Sequence, residues 1–598
     1  MSNAALSNIE FISAGAGSGK TFTLTRRMGE LLADKSVHPR GVLATTFTKM
    51  AASELKERVR QSLLSSGNAA TANAMGQAMI GTVNSVCGAL VERFAFEAGL
   101  SPQQTVIEEE GAAQLFHQAL EETLEADPRV IGQMNQLSTR LGLADSRTKA
   151  LQWRGEIHHL VNTARSNNLG PADLRSTIAS SQDSLFAYFP APSKRDLNGE
   201  LQSALGAALA AYDPSLDTTK ASKGYFDQIQ RTLHRINSNR LPWSEWISLS
   251  KAAPGAKSHA KTESVQMIAS DYQKHPQLRE DLGEFIRQIF TIAADSLEVY
   301  RQLKTRLGVV DFVDQEQCLL QVLELPEVAE ALRQELQLLM VDEFQDTSPI
   351  QLAIFIKLSE LADKAIWVGD IKQSIYGFRG SDPSLMLTVI DHLKNQGTEI
   401  NVLGKSWRSR PELVEYINGL FVPAFDNTIP AAQVALEPAH QPVLQTPAIE
   451  HWQLDGSSKA KQQNALAAAV QKLASSGQQI LDSRTGDPRA IEYGDIAILA
   501  RSNDNLAAMA EALTAFGIPV SLSRAGLMAT PEAVFAVACL RRLANAADTL
   551  ASAEIRALSQ EEALEDWLAD RIRTVQSGEG LREWGEDSVP ALAAIAEQ

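Results

Sequence analysis

Apolar residues in the first hundred positions come in short unbroken runs, each ending in a polar burst that leads into a helical pattern. Ile9 to Ser13 runs into Ala14-Gly15-Ala16-Gly17-Ser18-Gly19-Lys20-Thr21 and then a helical segment, Phe22 to Leu32. Val42 to Thr46 runs into Phe47-Thr48-Lys49-Met50, followed by Ala51 to Val59 with apolar and small residues at helical spacing. Ile80-Gly81-Thr82-Val83-Asn84-Ser85-Val86-Cys87 is a third strand-to-helix passage. Continuous apolar runs alternating with amphipathic helices predict an α/β fold whose parallel strands are buried on both faces. From about Leu100 to Tyr300 strand signals nearly vanish, and helical stretches alternate with loops around Pro190-Ala191-Pro192 and Pro254-Gly255, which predicts a long helical insertion. The α/β pattern resumes at Asp311 to Asp314, Leu336 to Val341 and Ala365 to Asp370, then at Asn401 to Ser409 before a helix near Pro411. Past a Pro-rich connection, Phe421 to Thr446, the runs Ile449 to Leu454 and Asp495 to Arg501 predict strands of another α/β domain. A helix, Leu506 to Phe516, follows the second run, and the tail from Pro531 to Gln598 is helical by composition.

The polar bursts carry the candidate chemistry, because open α/β sheets bind ligands beyond the carboxyl ends of their strands. The apolar run Leu338-Leu339-Met340-Val341 ends in Asp342-Glu343-Phe344-Gln345-Asp346. Two neighbouring carboxylates there suit two roles: Asp342 holds a magnesium ion, and Glu343 orients or deprotonates a water. Taken alone, the stretch also fits an acidic turn with no chemistry. The loop Ala14 to Thr21, set between a strand and a helix, is the context that a phosphate loop needs. Its glycines let backbone N–H groups close around phosphates, Lys20 reaches the β- and γ-phosphates, and the Thr21 hydroxyl ligates magnesium. Ala14 occupies the first position of the pattern, where glycine is standard. A further burst, Lys372, Gln373, Ser374, Tyr376, Phe378 and Arg379, follows the strand ending near Asp370.

Composition changes this picture little. With 598 residues, 44% of them hydrophobic, the chain can bury several cores, and length suggests about four domains. There is no apolar run long enough to span a membrane and no charged-then-apolar leader over Met1 to Gln61, so a cytoplasmic location is expected. Cys87, Cys318 and Cys539 lack paired spacing, which argues against disulfides or a zinc site and predicts core residues. The net charge of -17 excludes a globally basic nucleic-acid binder. A local basic track exists nevertheless: Lys220, Lys223, Arg231, Arg235, Arg240, Lys251, Lys257 and Lys261 face only Asp227 and Glu245. Tyr225, Phe226, Trp243 and Trp246 interleave with them, as stacking surfaces for nucleic acid or as the core of solvated helices.

Together, AGAGSGKT (Ala14 to Thr21), TTFTKMAASELKERV (Thr45 to Val59), DEFQDTSPIQ (Asp342 to Gln351), GDIKQSIYGFRGSDP (Gly369 to Pro383) and SWRSRPEL (Ser406 to Leu413) stand in order along the chain. The set resembles the ordered motifs of superfamily 1 DNA helicases of the UvrD/Rep/PcrA and RecB/AddA group, leaning to the RecB/AddA branch. That resemblance implies a RecA-like motor domain at 1-100 and 300-398, a helical insertion at 101-299 with a DNA-binding role, the start of a second RecA-like domain at 399-525, and a helical segment at 526-598. It implies ATP and Mg2+ as cofactors, held by Ala14, Gly15, Ala16, Gly17, Ser18, Gly19, Lys20 and Thr21, with Asp342 beside the metal and Glu343 activating water. Gln373 would sense the γ-phosphate, Arg408 would contact it, and Trp407 would stack on adenine. Phe47, Tyr376, Phe378 and Arg379 match positions that contact single-stranded DNA. The implied activity is a 3′-to-5′ helicase or translocase acting on single-stranded and partly duplex DNA in repair or recombination, with a nuclease or helicase partner chain. A non-hydrolysing structural or DNA-scanning component is the alternative.

The departures are specific. Asn84 stands where many relatives have histidine, and Ser406 where asparagine is frequent. After Arg501 neither the threonine-histidine-lysine-glycine segment nor the late arginine motif follows, so weak unwinding by this polypeptide alone is expected.

Overall fold

The computed structural model describes residues 8–559 apart from 102–103, 145–149, 238–240, 376–382, 399, 442–443, 445, 483–484, 523–529 and 546–547. Two compact units divide the chain, Met1–Pro442 and Val443–Gln598.

The first unit is built on a six-stranded parallel sheet. In chain order its strands are β1 (Ile9–Ala14), β2 (Val42–Thr46), β3 (Met79–Thr82), β4 (Leu338–Val341), β5 (Lys364–Gly369) and β6 (Ile400–Leu403), in spatial order β3-β2-β4-β5-β1-β6. β2 and β4 are buried at every position, as the unbroken apolar runs predict for a sheet covered on both faces. The covering helices are α1 (Lys20–Ala33), α2 (Lys49–Ser65), α3 (Val83–Arg93), α4 (Pro276–Leu307), α5 (Phe312–Val322) and α6 (Pro349–Leu361). Leu24, Met28 and Leu32 of α1 join Leu55, Val59 and Leu63 of α2 on one face, and α3, α5 and α6 close the other. β6 pairs with β1 in this same sheet, although the sequence places residues 400–403 beyond the first domain.

The predicted insertion is helical from Glu109 to Leu307 and contains two cores. One packs Phe116, Trp153, Ile157 and Leu297 around α4, and the other gathers Leu201, Tyr225, Phe226, Trp243 and Trp246. Helices Lys220–Asn237 and Trp243–Lys251 thus turn their aromatic stripe inward, leaving Trp246 only 1% exposed. Stacking on nucleic acid is ruled out for these four rings, because burial beside Leu201 and Leu249 removes their faces from solvent. Lys220, Lys223, Arg231, Lys251, Lys257 and Lys261 remain exposed on the outside, Arg235 is paired with Glu245, and Arg240 lies outside the described residues.

A buried ionic cluster fastens the insertion to the sheet domain. Asp311 caps α5, and its carboxylate takes Arg165 at 2.5 Å, Lys304 at 3.0 Å and the Tyr300 hydroxyl at 2.7 Å. Asp314 completes the cluster with Lys304 at 2.5 Å and Arg165 at 3.1 Å, so two cations balance two carboxylates. Burial opposes the charge of Asp311, but Arg165 and Lys304 beside it hold its carboxyl below the usual range.

On the same helix Glu316 is also buried and takes Gln351 Nε2 at 2.7 Å. Burial pushes its carboxyl up to about 7, against the pull of the Gln351 amide and Arg165. The fold therefore binds this proton more tightly than the unfolded chain does. Its contribution is complete below the ordinary glutamate range and declines as pH rises towards 7. Relative to wild type, Glu316→Gln should gain about 2–3 kcal/mol between pH 5 and pH 8, read as diverging urea-unfolding midpoints.

In the second unit, helices Lys459–Ser475 and Asn503–Ala515 pack through Ala467, Val470, Ala512 and Leu513. A two-stranded antiparallel pair, Gln479–Leu481 with Pro488–Ala490, lies between them in sequence, and helices Pro531–Ala544 and Thr549–Ser559 pack around Cys539 and Ile555. Ile449 to Leu454 and Asp495 to Arg501, read as strands from their apolar runs, are not strands here. A run becomes a strand only where a neighbour takes up its backbone groups, and no described residue ladders with either segment. Among the described residues no helix is long and apolar enough to cross a membrane, and Cys87 and Cys539 are buried free thiols, with Cys318 half-buried.

Candidate active site

Three loops meet beyond the carboxyl ends of β4, β5 and β1. The loop after β1 turns through Gly17 (φ 74) and Gly19 (φ 89), left-handed positions that a side chain would strain. Ser18 Oγ closes the turn onto the Gly15 carbonyl at 2.8 Å, and Gly19 caps α1, so Lys20 and Thr21 open the helix with their backbone N–H groups unspent. Ala14 is buried at the strand end, Ala16 is exposed, and Gly15 faces Leu436. Alanine serves at the first position because the left-handed turns fall at Gly17 and Gly19 and not there.

Lys20 Nζ lies 2.5 Å from Glu343 Oε2. Sequence alone placed these residues in separate motifs, and the fold brings them into contact across the sheet end. The turn that carries Glu343 is pinned by Phe344, which stacks on Trp367 of β5 at 4.6 Å and meets Phe11 of β1 edge-on. Glu343 itself is left-handed (φ 53), a conformation a non-glycine residue keeps only where its surroundings over-determine it. Burial, then the charge of Glu343, pushes the Asp342 carboxyl up to about 6, and the same two causes push Asp346 up to about 6. Asp346 Oδ1 is buried without a hydrogen-bond partner. A lysine, a helix-opening hydroxyl and carboxylates destabilised by one another form a donor set that fits a triphosphate with a hard divalent cation, Thr21 and Asp342 being the metal's oxygen donors.

The sensor turn follows β5. Asp370 is buried and takes Gln373 Nε2 at 2.7 Å and Lys372 Nζ at 2.7 Å, and Lys372 also reaches the Gln433 carbonyl at 2.8 Å. From the far side, Trp407 N donates to the Gly17 carbonyl at 2.8 Å, and a Cβ on Gly17 would come within 2.6 Å of Arg408 Cβ. Arg408 and Trp407 therefore sit on the phosphate loop, with the indole 60% exposed and its face available. Phe47, 37% exposed, lines a cavity of about 890 Å³ whose walls include Thr82, Asn84, His159, Asp342 and Glu343. Tyr376, Phe378 and Arg379 lie outside the described residues.

This arrangement agrees with the sequence comparisons. The family model for the UvrD/REP helicase N-terminal domain matches residues 2–394. The chain belongs to that family. An ATP-dependent helicase/nuclease protein of Listeria welshimeri, the larger-lettered first of its subunits by name, is 24% identical over 617 residues, covering 89% of this chain and 49% of the relative. The protein of the same name from Staphylococcus aureus is 25% identical over 603 residues, with 89% and 49% covered. The chain thus spans about half the length of these curated relatives.

Two elements of this UvrD/REP domain escaped the sequence reading. Gln345 bridges the acidic turn and Asp370, and Arg165 reaches Asp311 across the insertion. The only sequence signal for the first is an amide placed two residues after Glu343; the second has none, since 146 residues separate the partners.

Proposed function

We propose that this chain is the motor portion of a DNA helicase that couples ATP hydrolysis to movement along single-stranded DNA. The observation that supports this reading best is the direct contact of Lys20 with Glu343 at the end of a parallel sheet, beside a wide cavity that Phe47 lines. In this reading Lys20 and the N–H groups of the loop bind the phosphates of ATP, and Glu343 takes the proton of the attacking water. Magnesium, held by Thr21 and Asp342, neutralises phosphate charge. Arg408 approaches the γ-phosphate, Gln373 senses it, and Trp407 stacks on adenine.

Phe47, together with Tyr376, Phe378 and Arg379, contacts the DNA strand, and the exposed lysines of the insertion meet duplex phosphates. Residues 399-525 supply part of a second motor domain. Translocation runs 3′ to 5′, by resemblance to the family. The relatives are named as one component of a helicase/nuclease, which supports a partner chain for this protein too, with a role in cytoplasmic DNA repair or recombination.

The test is ATP hydrolysis with and without single-stranded DNA. Stimulation by DNA is expected, with hydrolysis lost in Lys20→Ala. Phe47→Ala should weaken binding to the strand about 5- to 100-fold, since a stacked base contributes roughly 1–3 kcal/mol, as read by fluorescence anisotropy. Retained ATP binding without any hydrolysis would instead make the chain a non-hydrolysing, DNA-scanning component.

A further inference from the structure

Gln345 is 2% exposed, and it ties two loops together. Its Nε2 donates to Glu343 Oε2 at 2.7 Å and, at 3.3 Å, to Asp346 Oδ2. Its Oε1 accepts the backbone N–H of Asp370 at 2.8 Å, and its own carbonyl accepts the Ser374 hydroxyl at 3.1 Å. The seat is close-fitting, because a Cβ on Gly369 would come within 2.9 Å of Gln345 Oε1. One side chain therefore joins the turn that carries Glu343 to the turn that carries Gln373.

Glu343 Oε2 receives two hydrogen bonds, one from Lys20 and one from Gln345. Lys20 is the residue that a bound triphosphate would claim. Once it turns to phosphate, Gln345 is the donor left to hold a carboxylate whose backbone is in a strained conformation.

We propose that Gln345 is the positioning residue for Glu343, and that it transmits the state of the Asp370–Ser374 turn to the attacking water. The proposal rests on the ATPase reading above and extends it. The chain continues from Ser374 directly into Tyr376, Phe378 and Arg379, so DNA held there would act on this turn, and Gln345 would carry the effect to Glu343.

Two variants of the full chain test it. Gln345→Met keeps length and removes both side-chain hydrogen bonds. Gln345→Glu keeps the acceptor towards the Asp370 N–H but replaces the donor facing Glu343 with a repelling oxygen. Melting temperature, binding of a fluorescent ATP analogue, and kcat and KM with and without single-stranded DNA are measured for both.

The expected result is a kcat lowered about 10- to 100-fold, a KM for ATP within about twofold of wild type, and a DNA-stimulation ratio falling towards one, as the loss of one charge-assisted hydrogen bond implies. If Gln345→Met fails to fold, Gln345→Glu carries the same expectation. Variants that match the wild-type kcat and stimulation ratio overturn the proposal alone, as does a fall in ATP affinity that accounts for the whole loss of rate. A wild-type chain that hydrolyses no ATP overturns the functional reading and this proposal with it.

Discussion

Glu343→Gln should lower ATP turnover by about 10²- to 10⁴-fold while leaving ATP bound, the range over which a general base contributes. The amide keeps the shape of the side chain and can still accept hydrogen bonds from Lys20 and Gln345, so the acidic turn has no reason to collapse. Its neutral charge acts in two further ways. Lys20, paired with Glu343 at 2.5 Å, loses its counter-charge and is freer to meet phosphate. Asp342 loses the neighbouring charge that, after burial, raises its carboxyl to about 6, and so becomes a better anionic ligand. Affinity for ATP with magnesium should therefore hold or rise as turnover disappears. Phosphate release and equilibrium binding on the same preparation check this, and turnover within tenfold of wild type would remove Glu343 from the role of base.

What could be read from the sequence divides along a physical line. β2, β4 and β5 were legible because a strand covered on both faces must be apolar at nearly every position, and few other elements look like Leu338-Leu339-Met340-Val341. The phosphate loop was legible because strand, glycines and helix follow one another locally. Features that depend on a distant neighbour were not legible. Asp495 to Arg501 has the composition of a strand but no ladder partner among the described residues. Trp243 and Trp246, spaced among lysines, gave the same signal whether stacked on bases or buried, and only the packing of Leu201 and Leu249 against them decides. Gln345 looked like one more polar residue in an acidic turn until β5 was placed beside β4, bringing the Asp370 N–H to its amide oxygen.

The insertion should prove inseparable from the motor sheet in stability. Arg165→Met removes one of two cations from a buried cluster and leaves Asp311 and Asp314 sharing Lys304. Breaking a buried ion pair from one side costs about 3–5 kcal/mol, because the remaining carboxylate can neither be solvated nor neutralised. Burial already opposes the charge of Asp311, and without Arg165 that opposition goes largely unanswered, so its carboxyl rises. The loss should therefore be largest near neutral pH and shrink as pH falls towards the ordinary aspartate range, where the proton supplies what the guanidinium did. Adding Asp311→Asn restores charge balance and keeps a good helix-capping side chain on α5, so the double variant should recover more than half of the loss. Urea unfolding of the wild type, both single variants and the double variant at pH 5 and pH 7.5 measures each quantity. A loss below about 1 kcal/mol for Arg165→Met at pH 7.5 would mean that solvent reaches the cluster and that apolar packing along α4 alone fastens the insertion.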